Sequence, residues 1–428
     1  MDYLSGSLML IVFVIGVLLA MKGENPILIF LPMAIVWAAL AGTPLRDIVG
    51  KVIDGGGTIY ASTIVIILFG AWFGQILVQT GIAETLIRTA LELAGERPLV
   101  VAIAVCCVVG FLSTSMYGIG AIIAMGVITL PIMMAAGVPP KVAACVMSMS
   151  VTAAYCMNPV AFATMKPLFN SEYNQHFIYY AMFGSVFFVF TLLMCAFQLR
   201  RTGVRKYSAV NVSSDQPTRL RAPWYACLAP LIPVLAVVFL KWGMIASFML
   251  GAIFALAATA HMRKVRETVD LACKCLYDAF PDIATVVAIW IMVGMLITAG
   301  QLPQVQAALK PIFTPFLPKT SLGLMLFFGL LAPLGLYRGP FIVTGTGAAL
   351  LAIFLAVGTF PGWYLYLFWL AGYAMAAAFD PTTSWNVWLI GYTRITHRQF
   401  LFTGVPFAWA AIMVGMILCY FYTAGMKF

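Results

Sequence analysis

The sequence predicts an all-α integral membrane protein made of two inverted repeats, each with five spans, one re-entrant hairpin and interfacial helices. Three observations carry this reading. Of 428 residues, 63% are hydrophobic and 9% charged, against roughly 25% charged in soluble domains. Apolar stretches of about 20 residues, the length that crosses a bilayer, recur along the whole chain. Lys and Arg gather on one side of those stretches.

Full spans are expected near 7–21, 26–42, 58–80, 138–166 and 176–198. A basic linker, 200–222, separates these from spans near 224–242, 244–261, 281–300, 361–392 and 402–424. The first apolar stretch is short enough for a signal peptide. Only Asp2 precedes it, however, and Lys22-Gly23-Glu24-Asn25-Pro26 follows in place of a small-residue cleavage site. It therefore reads as a retained first helix. Segments 98–136 and 320–358 are apolar but broken centrally by Gly, Ser, Pro or charge. Each reads as a hairpin that enters and leaves on one side.

Charge placement sets the orientation. With the N-terminus outside, Lys22, Arg88, Arg97, Lys141, Arg200, Arg201, Arg205, Lys206, Arg219, Arg221, Arg263, Lys264, Arg266, Lys274, Arg394 and Arg398 fall inside. That is sixteen of the 24 basic residues. Arg46, Lys51, Lys166, Lys241, Lys310, Lys319 and Lys427 fall outside, and Arg338 lies at membrane depth. This predicts an inner-membrane protein with periplasmic termini and a cytoplasmic linker at 200–222. Five crossings per half is an odd number, so the second repeat (223–428) enters upside down relative to the first (1–199). Sequence matches support the repeat: Gly74 meets Gly294 and Tyr117 meets Tyr337 at one spacing, and Asn158-Pro159 meets Asp380-Pro381 at nearly the same one. Amphipathic stripes at Leu45, Ile48, Val49, Val52 and Ile53, and at Ile82, Leu86, Ala90 and Leu93, read as interfacial helices. Their counterparts carry Val265, Val269 and Ala272, then Val305, Leu309 and Ile312.

The net charge of +10 would suit a nucleic acid only if gathered on a soluble face. It marks one side of a membrane instead, and no nucleic-acid partner is expected. The nine cysteines sit mostly in apolar segments without a CxxC pair, and read as buried small hydrophobes. No cofactor is expected.

Four breaks could carry chemistry, because a broken helix at midplane exposes backbone groups to a solute. The first is the hairpin tip Ser113-Thr114-Ser115-Met116-Tyr117-Gly118-Ile119-Gly120. Its hydroxyls either line a site or bond back to their own helix. The second is Pro333-Leu334-Gly335-Leu336-Tyr337-Arg338-Gly339-Pro340, followed by Thr344 and Thr346. An intramembrane arginine is costly and defaults to function. Arg338 suits a carboxylate, with two parallel hydrogen bonds, or a structural salt bridge to Asp380. The third is Tyr155-Cys156-Met157-Asn158-Pro159, where proline frees backbone and Asn158 can fill the gap. The fourth is Phe379-Asp380-Pro381-Thr382-Thr383-Ser384. Asp380 could bind a coupling proton, or hold Na⁺ with Thr382. Asn158 and Ser115 are further coupling-ion candidates. His176, His261 and His397 fall at span ends and read as interfacial.

The order of spans, interfacial helix, hairpin and proline-broken span resembles the ion transporter superfamily, which includes divalent-anion/sodium symporters, gluconate permeases, lactate permeases and C4-dicarboxylate carriers. Ser113-Thr114-Ser115 takes the first hairpin position, Asn158-Pro159 the first helix break and Asp380-Pro381-Thr382 the second. The strict Ser-Asn-Thr triplet of the dicarboxylate symporters is absent at all three. The resemblance implies an elevator mechanism. Segments 98–199 and 320–428 would move against a scaffold of 1–80 and 223–300, commonly as a homodimer. The leading expectation is a secondary transporter, not an enzyme, carrying a small organic anion with H⁺ or Na⁺. The alternatives are a cation/proton antiporter and, further off, an integral-membrane lipid enzyme.

Overall fold

The computed structural model describes residues 2–21, 24, 26–95, 97–202, 222–259 and 265–426. Most of the basic linker (203–221), with Arg205, Lys206, Arg219 and Arg221, lies outside the described residues. So do Lys22, His261, Arg263, Lys264 and Lys427. Every regular element among the described residues is helical.

The first half opens with α1 (Asp2–Met21) and α2 (Pro26–Leu40). The continuous helix α3 (Leu45–Gln79) follows, its Ile48–Gly55 stretch wound as a π-helix. The amphipathic α4 is Ile82–Ala94. A hairpin then pairs α5 (Pro98–Ser113) with α6 (Ile119–Ala135). Two short helices, α7 (Pro140–Tyr155) and α8 (Pro159–Phe169), meet at a 57° bend. The half closes with α9 (Phe177–Thr202). The second half holds α10 (Leu231–Phe239), α11 (Met244–Ala258), α12 (Val265–Gln301) and α13 (Pro303–Phe313). Its hairpin pairs α14 (Ser321–Leu331) with α15 (Gly347–Val357), joined through a 3-10 turn at Ala332–Arg338. Last come α16 (Gly362–Phe379), α17 (Ser384–Thr393) and α18 (His397–Thr423).

Local chemistry explains many of these ends. Pro98, Pro140, Pro159 and Pro303 sit in the first turn of their helices, where the missing N–H has no intrahelical role. Gly81, at φ +76°, turns α3 into α4 in a conformation that side chains disfavour. Thr396 and Gln399 form a reciprocal capping box at the start of α18.

Three expectations are corrected. The interfacial stretch at 45–53 and the span from 58 are one helix, α3. The interfacial stretch at 265–272 and the span from Pro281 are likewise one helix of 37 residues, with Pro281 inside it. Packing against α2, α3 and α15 holds α12 together across the lost hydrogen bond, as membrane helices tolerate when neighbours supply support. The expected span at 224–242 is a 3-10 turn, Trp224–Leu228, and then α10 of nine residues. Pro230 caps α10 and Pro233 lies within it. At about 1.5 Å per residue α10 covers roughly half of a ~30 Å hydrocarbon core. Among the described residues, four helices are individually long and apolar enough to cross a membrane: α3, α9, α12 and α18.

Packing follows two groups. The long helix α12 lies along α2 and α3, with α11 on α3 and α1 on α13. In the other group α9 packs on α7 and α18, and α7 on α5 and α16. The two long helices α3 and α12 touch backbone to backbone. A Cβ at Gly294 would lie 2.4 Å from the carbonyl oxygen of Gly56, so only glycine permits the crossing. Gly294→Val is therefore expected to cost at least about 3 kcal/mol through overpacking. It should lower the thermal unfolding midpoint in detergent by several degrees. Gly50→Ala, with open space around its Cβ, should leave that midpoint unchanged.

Candidate functional site

The two proline breaks are built alike. A residue before proline is pushed out of the helical region, and both Asn158 (ψ 123°) and Asp380 (ψ 113°) are extended. Each is fully buried, and each side chain ties its broken helix to the neighbouring hairpin tip. Asn158 Oδ1 accepts from the N–H groups of Val160 (2.8 Å) and Ala161 (3.2 Å). Its Nδ2 donates to the carbonyls of Ser113 (2.9 Å) and Met116 (3.1 Å) at the first tip. Asp380 Oδ1 accepts from the Thr382 N–H (2.8 Å) and hydroxyl (2.7 Å). Its Oδ2 accepts from the Arg338 backbone N–H at 3.2 Å, across to the second tip.

That last bond holds an unusual backbone. Tyr337 and Arg338 are both left-handed, at φ +54° and +58°, a conformation costing roughly 1–2 kcal/mol per residue for side chains with Cβ. The Thr346 N–H also donates to the Arg338 carbonyl (3.0 Å). The strain turns the Arg338 side chain inward. Its Nη1 donates to Thr344 Oγ1 (3.2 Å) and, at 3.4 Å, to the Thr344 carbonyl, and its Nη2 to the Thr382 carbonyl (3.3 Å). Among the described residues the guanidinium forms no ion pair. The salt bridge to Asp380 is thus not formed: Asp380 bonds the backbone of Arg338, and its charge reaches the guanidinium only through space.

The guanidinium borders a cavity of about 90 Å³ between both tips, both breaks and α12. Of the residues expected at a site, Tyr117, Arg338, Thr344 and Thr383 line it. Tyr117 stacks on Tyr155 (5.6 Å between ring centroids), which meets Trp385 edge-on. Thr383 caps α17 without a side-chain hydrogen bond to its first turn, so the N–H groups there are open beside Arg338. The other expected residues do not line the cavity. Thr114 bonds back to Phe111 (2.7 Å). Ser113 and Ser115 are fully buried, and their hydroxyls have no partner among the described residues. Gly118, at φ +105°, starts the second arm of the hairpin. Tyr337 is exposed, and Gly339 is packed against the Leu334 carbonyl. Thr346 and Thr382 support Arg338 and Asp380.

Several lining residues had no signal in the sequence reading: Thr164, Thr285, Trp290, Tyr373 and Trp385. Asp282 lies inside α12, where Gln75 Nε2 donates to its Oδ2 (2.6 Å). A Cβ at Gly120 would lie 2.3 Å from that carboxyl, so Asp282 rests against the first tip. An acid within a span is costly, which was the available clue.

Broken helices and hairpin tips thus close on a small, mostly apolar cavity that the Arg338 guanidinium borders. The family model described as "Tripartite ATP-independent periplasmic transporter, DctM component" matches residues 7–370. The chain belongs to this family. It is a secondary-transporter family, but none of the four carriers that the sequence resembles. No curated protein matches in sequence. The Alcanivorax borkumensis YdaH transporter, whose crystal structure is described as having an unusual topology, is similar in fold: TM-score 0.66 at 14% identity, over 94% of this chain and 99% of that one. The family's name makes its members one component of a tripartite transporter.

Asn158→Ala would leave two carbonyls and two N–H groups buried without partners, each worth about 1–3 kcal/mol. Thermal unfolding in detergent should show a large fall in the midpoint. Thr114→Val, which removes only a bond within one helix, should shift it little.

Proposed function

We propose that this chain is the solute-conducting membrane subunit of its transporter, moving a small organic anion, a carboxylate, together with a coupling cation. The observation that carries this reading is the Arg338 guanidinium, without an ion pair among the described residues, facing the cavity beside the open N-terminus of α17. A planar fork of donors and a partial positive helix end both favour a carboxylate. Asn158 fills the corresponding helix end of α8 with its own side chain, so an anion is favoured on one side only.

The order of elements supports the inverted repeat. Helices α3 to α9 recur as α12 to α18: a long helix, a short amphipathic helix, a hairpin, a broken pair and a closing helix. Positive-inside charge puts the termini in the periplasm and the linker, 200–222, in the cytoplasm. Segments 98–199 and 320–428, which carry the tips and breaks, would slide as a transport domain past a scaffold of 1–80 and 223–300. The Asp282–Gly120 contact lies on that sliding surface. Of the two other components, one would be a second membrane chain and one a periplasmic chain that delivers the solute.

For coupling we favour Na⁺ over H⁺. The orphan hydroxyls of Ser113 and Ser115 are oxygen donors that do not titrate and that suit a hard cation; the neighbouring carbonyls of Ser113 and Met116 also accept from Asn158. Asp380 with Thr382 is the other candidate pair, now engaged in holding the second tip.

Uptake of labelled carboxylates into proteoliposomes, with the partner components present, tests the anion site. Arg338→Lys keeps the charge and loses the fork, and its KM should rise roughly 30–100-fold. Normal uptake by Arg338→Ala would overturn the assignment. The Ser113→Ala/Ser115→Ala variant should need about tenfold more Na⁺ for half-maximal uptake. Uptake driven by a proton gradient with no response to Na⁺ would assign the coupling to H⁺.

A further inference from the structure

Away from the central site, a second cavity of about 430 Å³ opens between α7, α9 and α18. It is lined by Lys141, Gln198, Arg201, Arg398, Gln399, Phe402 and Thr403. Three of these are cations, and none is an acid. Among the described residues, none of the three forms an ion pair.

Two of the cations stand where helix electrostatics oppose them. Lys141 is the second residue of α7 and Arg398 the second residue of α18. Helix N-termini carry partial positive charge, which disfavours a cation by a few tenths to about 1 kcal/mol. Arg201, in the last turn of α9, adds a third charge. Like charges collected without a counter-charge are what a bound anion relieves.

The approach to the cavity is apolar. On α9, Val189, Leu193 and Phe197 are exposed and spaced four apart, which puts them on one helix face. Arg201 continues that row. On α18, exposed Phe402 follows Arg398 by four and lies under its guanidinium, 5.5 Å from ring centroid to Cζ. The row thus runs from apolar side chains suited to hydrocarbon into a cationic, polar cavity. That sequence of surfaces matches an acyl chain and its phosphate headgroup, and not a soluble anion.

We propose that this cavity binds the phosphate of an anionic phospholipid whose acyl chain lies along the exposed face of α9. Arg201 and Arg398 would fork onto phosphate oxygens, and Lys141 would add a third charge. Gln198 and Gln399 line the same cavity, held by the Thr403 carbonyl and the Thr396 N–H. The positive-inside rule places the site in the cytoplasmic leaflet, where anionic lipids attract basic residues.

Thermal unfolding of the full chain in a neutral detergent tests this, with phosphatidylglycerol, phosphatidylcholine or glycerol 3-phosphate added. Phosphatidylglycerol should raise the midpoint by roughly 3 °C at saturation, and the other two should not. In Arg201→Gln/Arg398→Gln the shift should vanish, and the single variant Lys141→Gln should reduce it. The single variants Arg201→Gln and Arg398→Gln serve if the double variant fails to fold. An equal shift from phosphatidylcholine, or a shift retained in the variants, overturns the site. No shift from phosphatidylglycerol does the same. A full response to glycerol 3-phosphate alone would overturn the lipid assignment.

Discussion

A helix broken within a membrane must find partners for the backbone groups it frees, because the hydrocarbon offers none. Everything at the centre of this protein follows from how two breaks meet that constraint. Pro159 and Pro381 interrupt their spans, and the residue before each cannot stay helical. At both places the side chain of that residue takes up the freed groups and reaches a neighbouring hairpin tip. Asn158 does so with two acceptor and two donor bonds, and Asp380 with three acceptor bonds. The tips are thereby held against the two breaks, and a cavity is left between them.

The two solutions use the same geometry and opposite chemistry. An amide both donates and accepts, so Asn158 closes the start of α8 and pulls carbonyls toward itself. A carboxyl that only accepts cannot do this. Asp380 instead draws in N–H groups, including that of Arg338. The backbone there turns left-handed at two successive residues, and the guanidinium swings toward the cavity instead of toward the nearest acid. On the proposed function, oxygens that suit a cation collect at one tip and nitrogens that suit an anion at the other.

Much of the architecture was legible in the sequence because lipid imposes long apolar runs and one-sided charge. The hairpins at 98–136 and 320–358 and the breaks at Asn158 and Asp380 carry Gly, Pro or polar residues where apolar ones dominate, so they stand out. Arg338 stood out for the same reason. The geometry around it did not. An intramembrane Arg and Asp in one half suggest a salt bridge, and nothing local says that the left-handed backbone turns one from the other. Tyr337 matched Tyr117 in the repeat yet faces outward, because the same turn reverses its direction. Thr285, Trp290 and Tyr373 were invisible because they are ordinary residues of apolar helices. Pro281 misled in the other direction: its cost is local, and the packing of α12 on α2 and α3 outweighs it.

The most direct test of the central claim is a structure of the transporter with a bound carboxylate substrate. The account predicts carboxylate oxygens within hydrogen-bonding distance of the Arg338 guanidinium and of the first-turn N–H groups of α17, with Asp380 still on the Arg338 backbone. A guanidinium turned onto Asp380, with the carboxylate resting at the first hairpin tip, would contradict it.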